Sequence, residues 1–240
     1  MTRGSQAHTS RKLFVNLRNT TAILTGLFLL TPITAAADDY YWQDATLDGD
    51  WSTTEPRWKL DDLGVNVGFV TGNAAIFGVS ANPTGGTPLT VTITEGGTTD
   101  TIAVTNITFN SGGVLINSQD DRTLTVDGII TVTDSDGGDM IEEVVTIDAA
   151  LIGSGAIQKL GDGALVLNGD NTISGDIDVD AGRLAFGAGG TSTGLGAIDV
   201  ASGATLEGEA TSSITTDGGI AIQTGGTFNS DGTVKKSRCH

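Results

Sequence analysis

A chain of 240 residues that carries 29 Asp and Glu against 12 Lys and Arg, a net charge of −17, lacks the clustered basic surface that nucleic acid or an anionic membrane surface requires. Its one cysteine, Cys239, excludes an intramolecular disulfide framework. Glycine fills 35 positions, yet Thr, Val and Ile alternate with other residues, as in Leu89-Thr90-Val91-Thr92-Ile93 and Leu124-Thr125-Val126; that is the pattern of short strands between turns, not of disorder.

Residues 1–37 read as an export signal. Arg3, Arg11, Lys12 and Arg18 give a basic start with no acid before Asp38, an apolar run extends from Ala22 to Leu30, and Pro32 is followed by Ala35, Ala36 and Ala37, which fit the small-residue rule for cleavage after Ala37. The run is shorter than the roughly 20 residues needed to span a bilayer, and no later segment is apolar enough to insert. The rest of the chain, with a charge of about −21, is expected outside the cell, at its outer surface or in the periplasm.

Residues 38–100 hold Trp42, Trp51 and Trp58 and read as an N-terminal cap with early coils; residues 101–234 read as a repeating array. Ile177-Asp-Val179-Asp-Ala-Gly182, Ile198-Asp-Val200-Ala-Ser-Gly203 and Ile220-Ala-Ile222-Gln-Thr-Gly225 are three copies of one phrase, leading to Leu184, Leu206 and Phe228. An earlier relative, Ile107-Thr-Phe109-Asn-Ser-Gly112, leads in the same way to Leu115. Alternation puts the first and third residue of each phrase on one face of a strand, and the glycine supplies a turn. Strand, turn and strand recurring about every 20 residues predict a right-handed parallel β-helix (β-solenoid) with an N-terminal Trp-containing cap. A β-sandwich is the alternative, since short strands with frequent turns also describe one. Ile177, Ile198 and Ile220 are expected to stack. The phrase ending at Phe228 is followed by polar residues and a basic tail, 235–240, so the last coil is expected to be open, to fray first and to offer an edge for self-association.

The stretch from Gly155 to Leu184 carries Lys159 ahead of Gly161-Asp162-Gly163, then Leu165-Val166-Leu167, Asn171-Thr172-Ile173-Ser174-Gly175 and Ala181-Gly182-Arg183-Leu184. It resembles the autotransporter-associated β-strand repeat, with Gly161, Gly163, Leu165, Leu167, Asn171, Gly175 and Gly182 as its structural positions. Ile173 stands where that family usually has Tyr. Residues Tyr40 to Phe77 resemble the Trp-containing lead-in found before such repeats. The resemblance implies a secreted or cell-surface passenger with an adhesive, non-catalytic role toward a surface glycan or protein. It also implies an outer-membrane barrel that is separate or missing, so the chain reads as a fragment or as a member with another anchoring route.

Little here supports catalysis, and no catalytic or cofactor-binding residue is assigned. Gly190-Thr-Ser192-Thr-Gly194 spells a nucleophile elbow, but the histidine that remains after cleavage is His240, and a serine nucleophile needs a base within reach. His/Cys metal sites lack material. Asp176, Asp178 and Asp180 share the outward face of one strand and are Ca²⁺ candidates, although a solvated acidic face explains them as well. Asp134-Ser-Asp136-Gly-Gly-Asp139 resembles a calcium loop in composition only. Trp42, Trp51 and Trp58 either close the solenoid end or present rings to a glycan. The competing function is a polysaccharide-active lyase or glycosidase on the same fold, which would require a basic partner beside the acids; Lys159 and Arg183 are the only basic residues between Arg122 and Lys235.

Overall fold

Alternating Ile and Val positions need a common interior, and the chain provides one by winding. In a computed structural model that describes residues 37–42, 48–60, 66–78, 89–94, 101–134 and 143–237, strands and turns are present and no helix is found among the described residues. The chain is a parallel β-solenoid of about 6 turns. The expected export signal lies outside the described residues apart from Ala37, as do residues 238–240 of the basic tail.

Each coil supplies strands to three walls. The first holds Ile157–Leu160, Ile177–Val179 and the C-terminal halves of Thr191–Val200 and Ser213–Ile222. The second is an 8-stranded sheet that ends in Ala164–Leu167, Arg183–Phe186, Thr205–Gly208 and Thr227–Ser230. The third holds Ala150–Gly153, Thr172–Ile173, the N-terminal halves of the two long strands, and Thr233–Lys236. Neighbouring coils pair in parallel, so equivalent residues stack: Ile177 faces Ile198, which faces Ile220, and Leu184, Leu206 and Phe228 form a second column. Ile177 and Ile198 are buried, whereas Ile220, in the last coil, is half-buried. Among the described residues no sandwich pairing is present in this register.

At residues 112–116 the chain departs from the expected phrase. Leu115 is half-buried, while Val114 and Ile116 point into the core. Gly113, not Gly112, adopts the left-handed backbone, φ 74°, as do the turn glycines 182, 203 and 225. Because side chains alternate with period 2, moving the turn by one residue exchanges the inward and outward sets.

At the N-terminal end the parallel pairing runs back to Asp39–Trp42 and Asp48–Trp51. There Trp58–Leu60 pairs antiparallel with Asp39–Trp42, and Asn66–Val67 pairs antiparallel with Trp58–Leu60. Trp42, Trp51, Trp58, Phe69 and Phe77 fill the interior behind these strands, with the Trp51–Trp58 ring centroids 5.1 Å apart and the Trp51–Phe69 centroids 5.4 Å apart. Phe77 then stacks on Phe109 of the next coil at 5.0 Å.

Two glycines with similar backbones separate conformational need from crowding. Gly182 has φ 62°, and a Cβ there would lie 2.5 Å from the carbonyl oxygens of Gly161 and Gly163. Gly203 has φ 86°, and nothing lies within 4 Å of its Cβ position. Gly203→Ala is expected to cost about 1–2 kcal/mol of left-handed strain, and Gly182→Ala roughly 3 kcal/mol or more because coil contact adds to that strain. Urea unfolding of both variants checks this; equal losses would show that coil crowding does not dictate glycine at 182.

Candidate functional site

The repeat residues build the coil from inside. Lys159 occupies an inward position, opposite Ile130 in one neighbouring coil and Val179 in the other, and is fully buried. An ammonium group in the core costs several kcal/mol unless its donors are met. Its Nζ donates to the carbonyls of Leu160 at 3.0 Å, Gly161 at 2.8 Å and Ala181 at 3.1 Å, tying the Gly161 turn to the equivalent turn of the next coil. Asn171, also buried, works at the opposite corner. Its Oδ1 accepts from the Leu151 amide at 2.9 Å, and its Nδ2 donates to the Gly169 carbonyl at 2.7 Å and to Ser192 Oγ at 3.1 Å, so one amide joins three coils. Leu165 and Leu167 are core residues. At Gly175 a Cβ would collide with the Gly155 carbonyl.

Asp176, Asp178 and Asp180 lie on the outer side of the first wall, all exposed. Asp176 Oδ1 accepts from the Ala197 amide at 2.8 Å, Asp180 accepts from Gln158 Nε2, and Asp178 lies between Gln158 and Asp199 on the neighbouring coils. Among the described residues no three His, Cys, Asp or Glu side chains converge on a position that could hold a metal ion, so the Ca²⁺ expectation rests on the sequence pattern. Partial desolvation by its neighbours, followed by the charges of Asp180, Asp199 and Asp176, holds the Asp178 carboxyl above the ordinary carboxylate range.

The other sequence candidates take structural places. Trp42, Trp51 and Trp58 are 4%, 0% and 0% exposed, which leaves no ring face for a sugar; the glycan-contact reading of these residues gives way to the packing of the cap. Ser192 of the apparent elbow is buried on a strand and accepts from Asn171, with no helix after it. Arg183 pairs with Glu207 at 2.8 Å. Residues 135–142 of the calcium-like loop lie outside the described residues.

A feature with no motif in the sequence appears at the corner between the second and third walls. Successive turns there contribute Ser118, Asp121 and Arg122, then Asp148, then Asn168 and Asp170, then Gly189, around a polar groove of about 540 Å³. Four turns at a coil spacing of ~4.8 Å extend roughly 14 Å along the axis. Asn168 Nδ2 donates to Asp148 Oδ1 at 2.8 Å, and Asp170 Oδ1 accepts from the Thr191 amide at 3.0 Å. Asp120 and Asp121 hold left-handed backbones, φ 54° and 57°, an uncommon state for residues other than glycine. Carboxylates, an amide, a hydroxyl and a guanidinium arranged along a groove can donate to and accept from a hydroxyl-rich ligand.

The raised Asp178 pKa fixes a sign. The folded state holds this proton more tightly than the unfolded chain, so the contribution to stability declines as pH rises from the ordinary carboxylate range through the raised value. Asp178→Asn is therefore expected to raise Tm by about 1–3 °C at neutral pH, with the gap closing as pH falls through that window. Scanning calorimetry in chelator measures it. A lower Tm for Asp178→Asn at neutral pH would contradict the repulsive reading, and a Ca²⁺-specific Tm rise in the parent, absent with matched Mg²⁺ and lost in this variant, would locate a cation on the row.

The sequence model of the passenger-associated-transport-repeat family matches residues 157–186. That segment runs from Ile157, at the start of the Lys159 strand, to Phe186. The chain is also similar to the Adhesin BmaC autotransporter of Brucella suis biovar 1 (strain 1330), 34% identical over 202 residues, a span of 78% of this chain and 5% of that protein. No solved structure matches. The passenger relation points to export to the cell surface. With its repeat set in a stack of parallel coils, the chain carries a passenger-associated-transport repeat at residues 157–186 and is similar along most of its length to an autotransporter adhesin.

Proposed function

We propose that the chain is an adhesin-like, non-catalytic passenger segment that holds a binding surface away from the cell on an acidic solenoid. The observation that carries this reading is the 34% identity to a protein named as an autotransporter adhesin. Its contact surface is the polar groove of Asp121, Arg122, Asp148, Asn168 and Asp170, and its ligand class is a hydroxyl-rich surface glycan. Lys159 is buried on carbonyl oxygens and Arg183 is held by Glu207, so neither is offered to the outward row of Asp176, Asp178 and Asp180.

A panel of immobilised cell-surface glycans and proteins tests this. The chain should bind a glycan and release no sugar, and Arg122→Gln should weaken binding about tenfold or more through loss of charged hydrogen bonds. Binding that survives both Arg122→Gln and Asp148→Asn would remove the groove as the contact, and sugar release on incubation would replace adhesion with catalysis.

A further inference from the structure

Backbone hydrogen bonds carry the parallel register through the corner that holds the polar groove. The Asp148 amide donates to the Ile116 carbonyl at 2.8 Å, the Asn168 amide to that of Ile147 at 2.9 Å and the Gly187 amide to that of Leu167 at 2.9 Å. Groups on successive turns are therefore held one coil step apart, about 4.8 Å. Asp121, Asp148 and Asp170 stand exposed on three of these turns and line the groove. Two of them are pinned by the protein: Asp148 Oδ1 accepts from Asn168 Nδ2 at 2.8 Å, and Asp170 Oδ1 accepts from the Thr191 amide at 3.0 Å. Among the described residues, the second oxygen of each and the whole Asp121 carboxylate accept no hydrogen bond.

We propose, resting on the reading of this groove as the contact surface, that its ligand is a linear glycan of neutral sugars laid along the solenoid axis, one sugar to a coil. The repeat distance selects the class of chain. In an extended β-1,4-linked glycan each sugar advances by nearly one coil step, so hydroxyls of successive sugars meet acceptors on successive turns. An extended peptide advances only about 3.3 Å per residue and loses that register at once. Four turns, roughly 14 Å, hold about three sugars. Ionised carboxylates make short, strong bonds with hydroxyl donors, and acceptors already fixed in place lose little freedom on binding. Charge selects the sugars. Three carboxylates face the guanidinium of Arg122 in a chain of net charge −17, a field that repels uronate, sialate and sulfate groups.

Isothermal titration calorimetry of the exported protein tests the fit, using oligomers of one to six units in three β-1,4-linked series: glucose, N-acetylglucosamine and mannuronate. At least one neutral series should gain about tenfold or more in affinity between one and three sugars and little beyond four, and the mannuronate series should not bind. Asp148→Asn with Asp170→Asn keeps an acceptor for Asn168 and for the Thr191 amide. This variant should lose about tenfold in affinity for the three-sugar oligomer, because neutral acceptors replace charged ones, with an unchanged circular dichroism spectrum. Equal affinity for one and three sugars would overturn the proposal, as would mannuronate binding as tight as that of the neutral oligomers or no binding in either neutral series. Retention of other glycans by the parent, lost in Arg122→Gln, would leave the groove as the contact surface while removing the axial neutral chain as its ligand.

Discussion

Each coil of this protein is hydrogen-bonded through a parallel backbone to the coils on either side of it, at a step of about 4.8 Å. Within that ladder a side chain's neighbours are its own equivalents one turn away. An inward position must therefore suit the core in every coil, and a turn that lies close on the preceding one must leave it room. Ile177, Ile198 and Ile220 satisfy the first condition by repetition. Gly182 answers the second, because the carbonyls of Gly161 and Gly163 occupy the space a methyl group would take.

Lys159 shows how the ladder accommodates an exception. Its neighbours in the column are Ile130 and Val179, so the ammonium group has no route to solvent along the stack. The turn carbonyls of two coils supply what water would have supplied. Asn171 does the same for the corner by which the chain passes from the second wall to the third. Both belong to the repeat, and both join consecutive coils at points where strand pairing is interrupted. The repeat is thus a device for continuing the stack, and recognition falls to side chains that the stack leaves outside.

What was legible in the sequence follows from the same constraint. The solenoid could be read from residues 177–225 because one phrase recurs with its glycine in phase, and the stacked column of Leu184, Leu206 and Phe228 came with it. At residues 112 and 113 two adjacent glycines both fit the phrase, and only backbone geometry distinguishes them. Lys159 read as a prospective partner for the outward acids because alternation alone does not say which face a lysine takes when the strand is short. The three tryptophans pointed to a cap before a sugar platform, and their burial accords with the cap. The corner groove was illegible for another reason: Asp121, Asp148 and Asp170 come from separate turns, and no local spacing joins them until the coils are stacked.

Backbone nuclear Overhauser contacts in the isotopically labelled protein measure the parallel, one-coil-apart register directly. In the solenoid the contacts rise together along both strands, Ile177 with Ile198, Asp178 with Asp199 and Val179 with Val200, continued by Ile198 with Ile220 and Val200 with Ile222. Contacts that instead run in opposite directions along adjacent segments, as in hairpins of a sandwich, would contradict the solenoid and with it the assigned roles of Lys159, Gly182 and the corner groove.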